Sequence, residues 1–82
     1  MTINLMTTLG CHLCDEALQI FNDLLAENPA LFKRFEIHLV EIADSEHLIE
    51  SYGIRIPVLQ YDEQELAWIF SMDDLSQWLQ SL

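Results

Sequence analysis

The residues that could do chemistry in this sequence are its only two cysteines, Cys11 and Cys14, spaced Cys-x-x-Cys. Two thiols at that spacing can cycle between a dithiol and a disulfide. Exchange of that kind needs a thiolate to attack, a second thiol to release the mixed disulfide, and room for the partner sulfur. The pair lies in Thr8-Leu9-Gly10-Cys11-His12-Leu13-Cys14-Asp15-Glu16, with one of the two glycines just before it. A strand-like run, Ile3 to Thr7, precedes it. A helix-like run follows, with Ala17, Leu18, Phe21, Leu24 and Leu25 at helical spacing. The pair therefore falls at a strand-to-helix turn, close to a helix start, where free N–H groups and the helix dipole favour an anion such as a thiolate. Beside a βα pattern this reads as a redox pair.

Opposing charges sit close by. The helix end favours a thiolate by about 0.3–1 kcal/mol, or ~2 kcal/mol when partly buried. Asp15 and Glu16 work against it, at roughly 0.6 kcal/mol in water and about 2.4 kcal/mol at an effective dielectric near 20 for a charge ~7 Å away. These contributions are of similar size and opposite sign; a protonated His12 adds to the favourable side. As a structural staple the pair is poor, since chain entropy gives a four-residue loop only about 2 kcal/mol. Inert buried thiols and metal binding are the competing readings. A four-coordinate zinc site would need two more ligands, and His38 and His47 have no characteristic spacing to the pair.

The totals bound the partners. A chain of 82 residues is one small domain, burying about 60% of its unfolded surface. Lys33, Arg34 and Arg55 against fourteen acidic residues leave a net charge of −11. That argues against nucleic acid or an anionic membrane surface as partner, since both need a basic footprint. No basic, apolar leader precedes Gly10 and no apolar run approaches a membrane span. The expectation is a cytoplasmic, monomeric protein, in a compartment where structural disulfides are uncommon.

The elements that must position the cysteines follow in order. The first helix is expected to end at about Glu27, because Asn28-Pro29 biases the chain out of helix. Ala30 to Arg34 could add a helical turn. Phe35 to Leu39 alternates as a strand with one face in water, extended with a phase slip by Val40-Glu41-Ile42. Asp44 is placed to cap a short helix with Leu48, Ile49 and Tyr52 inward and Gly53 at its C′ position. Pro57 to Tyr61 reads as a strand, Asp62 to Glu65 as a turn, and Leu66 to Ile69 as the hairpin's return strand. Ser71-Met72-Asp73-Asp74 has the Ser-x-x-acid capping pattern before an amphipathic helix bearing Leu75, Trp78, Leu79 and Leu82. The order β-α-β-α-β-β-α specifies an α/β fold, with a four-stranded mixed sheet and helices on both faces.

Cys11-His12-Leu13-Cys14 after a first strand, together with Tyr52-Gly53-Ile54-Arg55-Ile56-Pro57-Val58 before a hairpin, resembles the thioredoxin/glutaredoxin superfamily. Gly10 to Ala17 and the stretch Glu65-Leu66-Ala67-Trp68 resemble its short glutaredoxin-like members. The resemblance implies a thioredoxin-like fold and a thiol–disulfide oxidoreductase, with Cys11 the nucleophile and Cys14 the resolving thiol. It implies a cis bond before Pro57, packed against the cysteine turn, leaving the Ile56 backbone to pair with substrate. His12, Leu13, Arg55 and Asp73 become candidate substrate-binding residues. The implied partners are a disulfide-containing protein or small thiol, and either glutathione or a reductase as electron donor. No bound cofactor is implied. Many glutaredoxins hold glutathione with a lysine before the first cysteine and a Gly-Gly-x-Asp stretch before the last helix. Here those places read Thr7-Thr8-Leu9 and Phe70-Ser71-Met72-Asp73. Two other classes stay open: a non-catalytic partner-binding or redox-sensing module of the same fold, and a metal or iron–sulfur carrier.

Overall fold

The computed structural model describes all 82 residues. The elements are β1 (Thr2–Thr7), α1 (His12–Glu27), α2 (Pro29–Phe32), β2 (Glu36–Glu41), a 3₁₀ turn (Ile42–Asp44), α3 (Glu46–Tyr52), β3 (Val58–Tyr61), β4 (Gln64–Ala67) and α4 (Met72–Gln80). The sheet order is β2-β1-β3-β4. β1 pairs parallel with β2, so a crossover carrying α1 must join them. It pairs antiparallel with β3, which forms a hairpin with β4.

Alternation along β1 divides the core in two. Ile3 and Leu5 face one side with Leu59, packing on Ala17, Phe21 and Leu24 of α1 and on Leu75 and Leu79 of α4. Met6 faces the other side with Val58 and Ile42, where Leu48 and Tyr52 of α3 cover them in part. Helices thus lie on both faces, as the pattern requires. The second face is thin, for α3 has no buried residue and Ile49, expected inside, is 46% exposed. Further along it the face turns polar: the Asn4 side-chain amide donates to Gln60 Oε1 at 2.8 Å.

Local chemistry shifts several expected boundaries. Asp44 does not cap α3; Ser45 does, its Oγ accepting from the Leu48 N–H at 3.4 Å, because Asp44 is taken into the 3₁₀ turn. Gly53 caps α3 in right-handed conformation (φ −50°), so a left-handed C′ position is not the reason for glycine there. The reason is contact: a Cβ would lie 2.5 Å from the Ile49 carbonyl oxygen. The short second helix begins at Pro29, whose fixed φ suits a first helical position. β2 starts at Glu36, and Ile42 leaves it.

The hairpin is tighter than expected. Tyr61 pairs with Gln64, so only Asp62 and Glu63 turn, and Asp62 adopts φ +53°, a conformation aspartate tolerates. The polar Gln64 and Glu65 therefore open the return strand, whose edge faces solvent. Trp68 and Ile69 fall outside it. Trp68 and Trp78 are half-buried at the core margin rather than within it, Trp68 standing edge-on to Phe70 at 5.1 Å. The capping box at α4 forms as read: Asp74 N–H donates to Ser71 Oγ at 3.0 Å, and Ser71 N–H to Asp74 Oδ2 at 2.9 Å.

Gly53→Ala is expected to cost about 1–3 kcal/mol, because the atom it would press upon is backbone and cannot rotate away. Thermal unfolding checks this, at about 4–8 °C of midpoint per kcal/mol in a domain of this size.

Candidate functional site

β1 delivers the chain to a turn of four residues, Thr8 to Cys11, closed by the Cys11 N–H donating to the Thr8 carbonyl at 3.1 Å. Gly10 sits at the third position with φ +80°, the conformation a type II turn demands there. The turn ends on Cys11, which is the N-cap of α1 in extended conformation. Its Sγ takes the place of a capping oxygen and accepts the Cys14 N–H at 3.1 Å. Cys11 and Cys14 form a disulfide, with Cα atoms 5.2 Å apart. Cys11 is half-buried, whereas Cys14 is 3% exposed, so only the first sulfur is open to a partner.

One carboxylate fastens this turn from the next strand. Glu41, the last residue of β2, pairs in register with Thr7. Its Oε1 accepts the Leu9 N–H at 2.9 Å and its Oε2 the Ala43 N–H at 3.0 Å. The Ala43 N–H, then the Thr8 hydroxyl and the Leu9 N–H, hold the Glu41 carboxyl below its ordinary pKa; desolvation opposes them. The sequence reading missed Glu41. Its one trace was the phase slip at the end of β2, where a carboxylate interrupts the apolar run.

His12 and Leu13 are exposed in the first turn of α1, Leu13 at 44%. The Ile56–Pro57 bond is cis and Pro57 is buried. The pairing Met6 with Val58 sets Pro57 beside the end of β1, next to the turn that carries Cys11. Arg55 is occupied elsewhere. Its Nη1 donates to Glu65 Oε1 at 3.1 Å, its Nε to the Ser51 carbonyl at 2.9 Å, and its guanidinium lies 4.9 Å over the Tyr52 ring. Tyr52 Oη donates to Glu65 Oε2 at 2.8 Å. This clamp joins α3 to β4 across the base of the Ile56–Pro57 loop. Burial, then the Glu65 carboxylate, raises the Tyr52 pKa, while the Tyr52 hydroxyl and then Arg55 lower that of Glu65. Asp73 is exposed in the first turn of α4, beside the capping box and without a side-chain hydrogen bond to the cysteine turn.

A cleft of about 290 Å³ opens beside Cys11, lined by Thr7, Thr8, Leu9, Gly10, Asp15, Leu39 and Glu41 as well as the cysteine itself. No group of three or more His, Cys, Asp or Glu side chains is assembled for a metal ion.

The fold and the cysteine turn define a thioredoxin-like protein. Thioredoxin 1 from the thermophilic eubacterium Thermosipho africanus TCF52B superposes with a TM-score of 0.59 at 13% identity, covering 99% of this chain and 97% of that one. The X-ray structure of the structural-genomics target protein XcR50 from X. campestris gives a TM-score of 0.81 at 30% identity, over 98% of this chain and 97% of that one. Residues 2–80 match the family model described as Glutaredoxin-like domain (DUF836). The chain belongs to that glutaredoxin-like family. Among curated proteins, none matched.

The depressed pKa of Glu41 makes a stability statement. A carboxyl whose folded pKa lies below its unfolded value stabilises fully above the unfolded value and loses that contribution as pH falls through the folded one. Glu41→Gln is therefore expected to be less stable than wild type near neutral pH, with the gap closing as pH drops below the ordinary 4.5. Urea unfolding of both proteins across that range measures it. A gap constant down to strong acid would mean that the carboxylate charge does not hold the turn.

Proposed function

We propose that the protein is a thiol–disulfide oxidoreductase that acts on disulfides through Cys11 and Cys14. The observation that carries the reading is the division of the pair: Cys11 caps α1 with its sulfur reachable, and Cys14 is sealed one turn behind it. A thiolate at Cys11 inherits the Cys14 N–H and the dipole of a sixteen-residue helix. Its lone pair attacks one sulfur of a substrate disulfide; a bond forms to that sulfur and the other leaves as a thiolate. The Cys14 thiolate then attacks Cys11 Sγ, releasing the second substrate thiol and forming the Cys11–Cys14 disulfide. Two electrons pass to the substrate, and solvent supplies the two protons its thiols need. A dithiol donor, or two molecules of a monothiol, returns the protein to its reduced state.

Ile56 and Pro57 supply the wall against which an extended substrate lies beside the sulfur, and His12 and Leu13 its exposed floor. The reaction needs no resident cofactor. A cytoplasmic location fits thiols that must be kept reducible.

Glutathione is a poor match as electron donor. Its carboxylates need cations, and Arg55 is engaged by Glu65. Lys33 and Arg34 lie at the opposite end of β1, where the amino terminus donates to the Arg34 carbonyl. At a net charge of −11 the protein also repels approaching anions.

Two outcomes are expected. Cys14→Ser accumulates a mixed disulfide with an added disulfide substrate and Cys11→Ser accumulates none, as intact-mass spectrometry reads directly; trapping only in Cys11→Ser would reverse the roles. Turnover with glutathione is slow and rises with ionic strength, while a neutral or basic dithiol reductant drives faster turnover at low salt. Fast glutathione turnover at low salt would show that backbone N–H groups bind it without cations.

A further inference from the structure

The cleft beside Cys11 lies away from the wall assigned to substrate. Pro57 belongs to the β3 side of β1, whereas Leu39 and Glu41, which line the cleft, come from β2 on the other side. A chain bound along Ile56–Pro57 and passing over Cys11 therefore meets the cleft next. Its volume of about 290 Å³ is at the bottom of the range for small-molecule sites and accommodates one long side chain.

Its chemistry is two-sided. Leu9 is 93% exposed and Leu39 is 53% exposed, so the cleft presents apolar surface to water. The only charged side chains in the lining are the carboxylates of Asp15 and Glu41, and Glu41 is fixed by Leu9, Ala43 and Thr8. No cation of this chain neutralises them: the one ion pair is Arg55 with Glu65, and Lys33 and Arg34 lie at the opposite end of β1, Arg34 over Phe35 at 4.7 Å.

We propose that this cleft is a subsite for a basic side chain, lysine or arginine, carried next to the cysteine of a disulfide-bonded protein substrate. The aliphatic stem packs against Leu9 and Leu39 and the cationic head reaches Asp15 and Glu41, the division such side chains adopt wherever apolar surface borders water. Occupation also lowers the cost of the Cys11 thiolate, because the substrate brings the positive charge that the site lacks. The inference rests on the exchange reading above.

The test uses the full-length protein, reduced beforehand and freed of reductant, and three synthetic peptides closed by a disulfide. The peptides differ only in one residue next to a cysteine: Lys, Gln or Glu. Loss of protein thiols in a single turnover is followed by stopped flow. The Lys peptide is expected to react about three- to tenfold faster than the Gln peptide at low salt, from two partly exposed charge pairs, and the Glu peptide slower still. The Lys-to-Gln ratio should fall towards one in high salt and in Asp15→Asn and Glu41→Gln. It should persist in Asp62→Asn, which removes the same charge at the far hairpin turn. Asp15 makes no side-chain hydrogen bond, so its variant keeps the test sound if Glu41→Gln loosens the turn. Equal rates for all three peptides, or a ratio that falls equally in Asp62→Asn, would overturn the subsite while leaving exchange intact. No reaction with any peptide would overturn both.

Discussion

Everything at the site follows from one double duty: Cys11 starts a helix and is also the less buried cysteine of the disulfide. A helix begins with unpartnered N–H groups that an N-cap side chain has to meet. Here a sulfur meets one of them, and the same contact supplies the field a thiolate needs. The cap conformation is extended, so the chain must arrive from β1 through a turn that reverses it sharply, and Gly10 at φ +80° makes that turn possible. A turn of four residues with one closing hydrogen bond would fray on its own. Glu41 prevents this by taking up the Leu9 N–H from the neighbouring strand, and the parallel pairing of β1 with β2 puts Glu41 within reach.

The same economy governs charge. With three basic residues against fourteen acidic ones, both arginines are engaged in structure, Arg55 on Glu65 and the Tyr52 face and Arg34 over Phe35. Exposed pairs of this kind contribute about 0–1 kcal/mol each, so their effect is positional more than energetic. The Arg55–Glu65–Tyr52 clamp fixes where the Ile56–Pro57 loop leaves α3 and enters β3. The acidic excess stays unneutralised around the cysteine turn.

How much of this the sequence displayed depends on how far apart the partners stand. Short-range rules were legible. The periodic apolar face of α1 ended at Glu27, and the Ser71–Asp74 capping box formed as its spacing required. The order of strands and helices and the redox spacing of the cysteines were equally plain. Adjacent alternatives were not separable: Asp44 and Ser45 are both good caps, and only the 3₁₀ turn after β2 decides between them. The hairpin shrank because Asp62 accepts a left-handed conformation, which its identity permits without requiring. Glu41 and the Tyr52–Glu65–Arg55 clamp were invisible for a different reason. Each depends on a register between elements more than ten residues apart, and a side chain at a strand end carries no mark of what its neighbouring strand will present.

The cleft shows why position within the fold matters more than the total charge. A net charge of −11 repels every anion alike and would make the protein merely selective by sign. At a Debye length near 8 Å in physiological salt, most of those carboxylates do not reach Cys11. Asp15 and Glu41 do, because they share its cleft. Negative charge so placed opposes a thiolate, whereas a helix start favours one. A partner that neutralises the two carboxylates removes only the unfavourable part and leaves the helix contribution intact. On the proposed reading, the field at Cys11 is thereby tied to what occupies the cleft, since a cation beside Asp15 and Glu41 offsets the carboxylates and leaves the helix start unopposed.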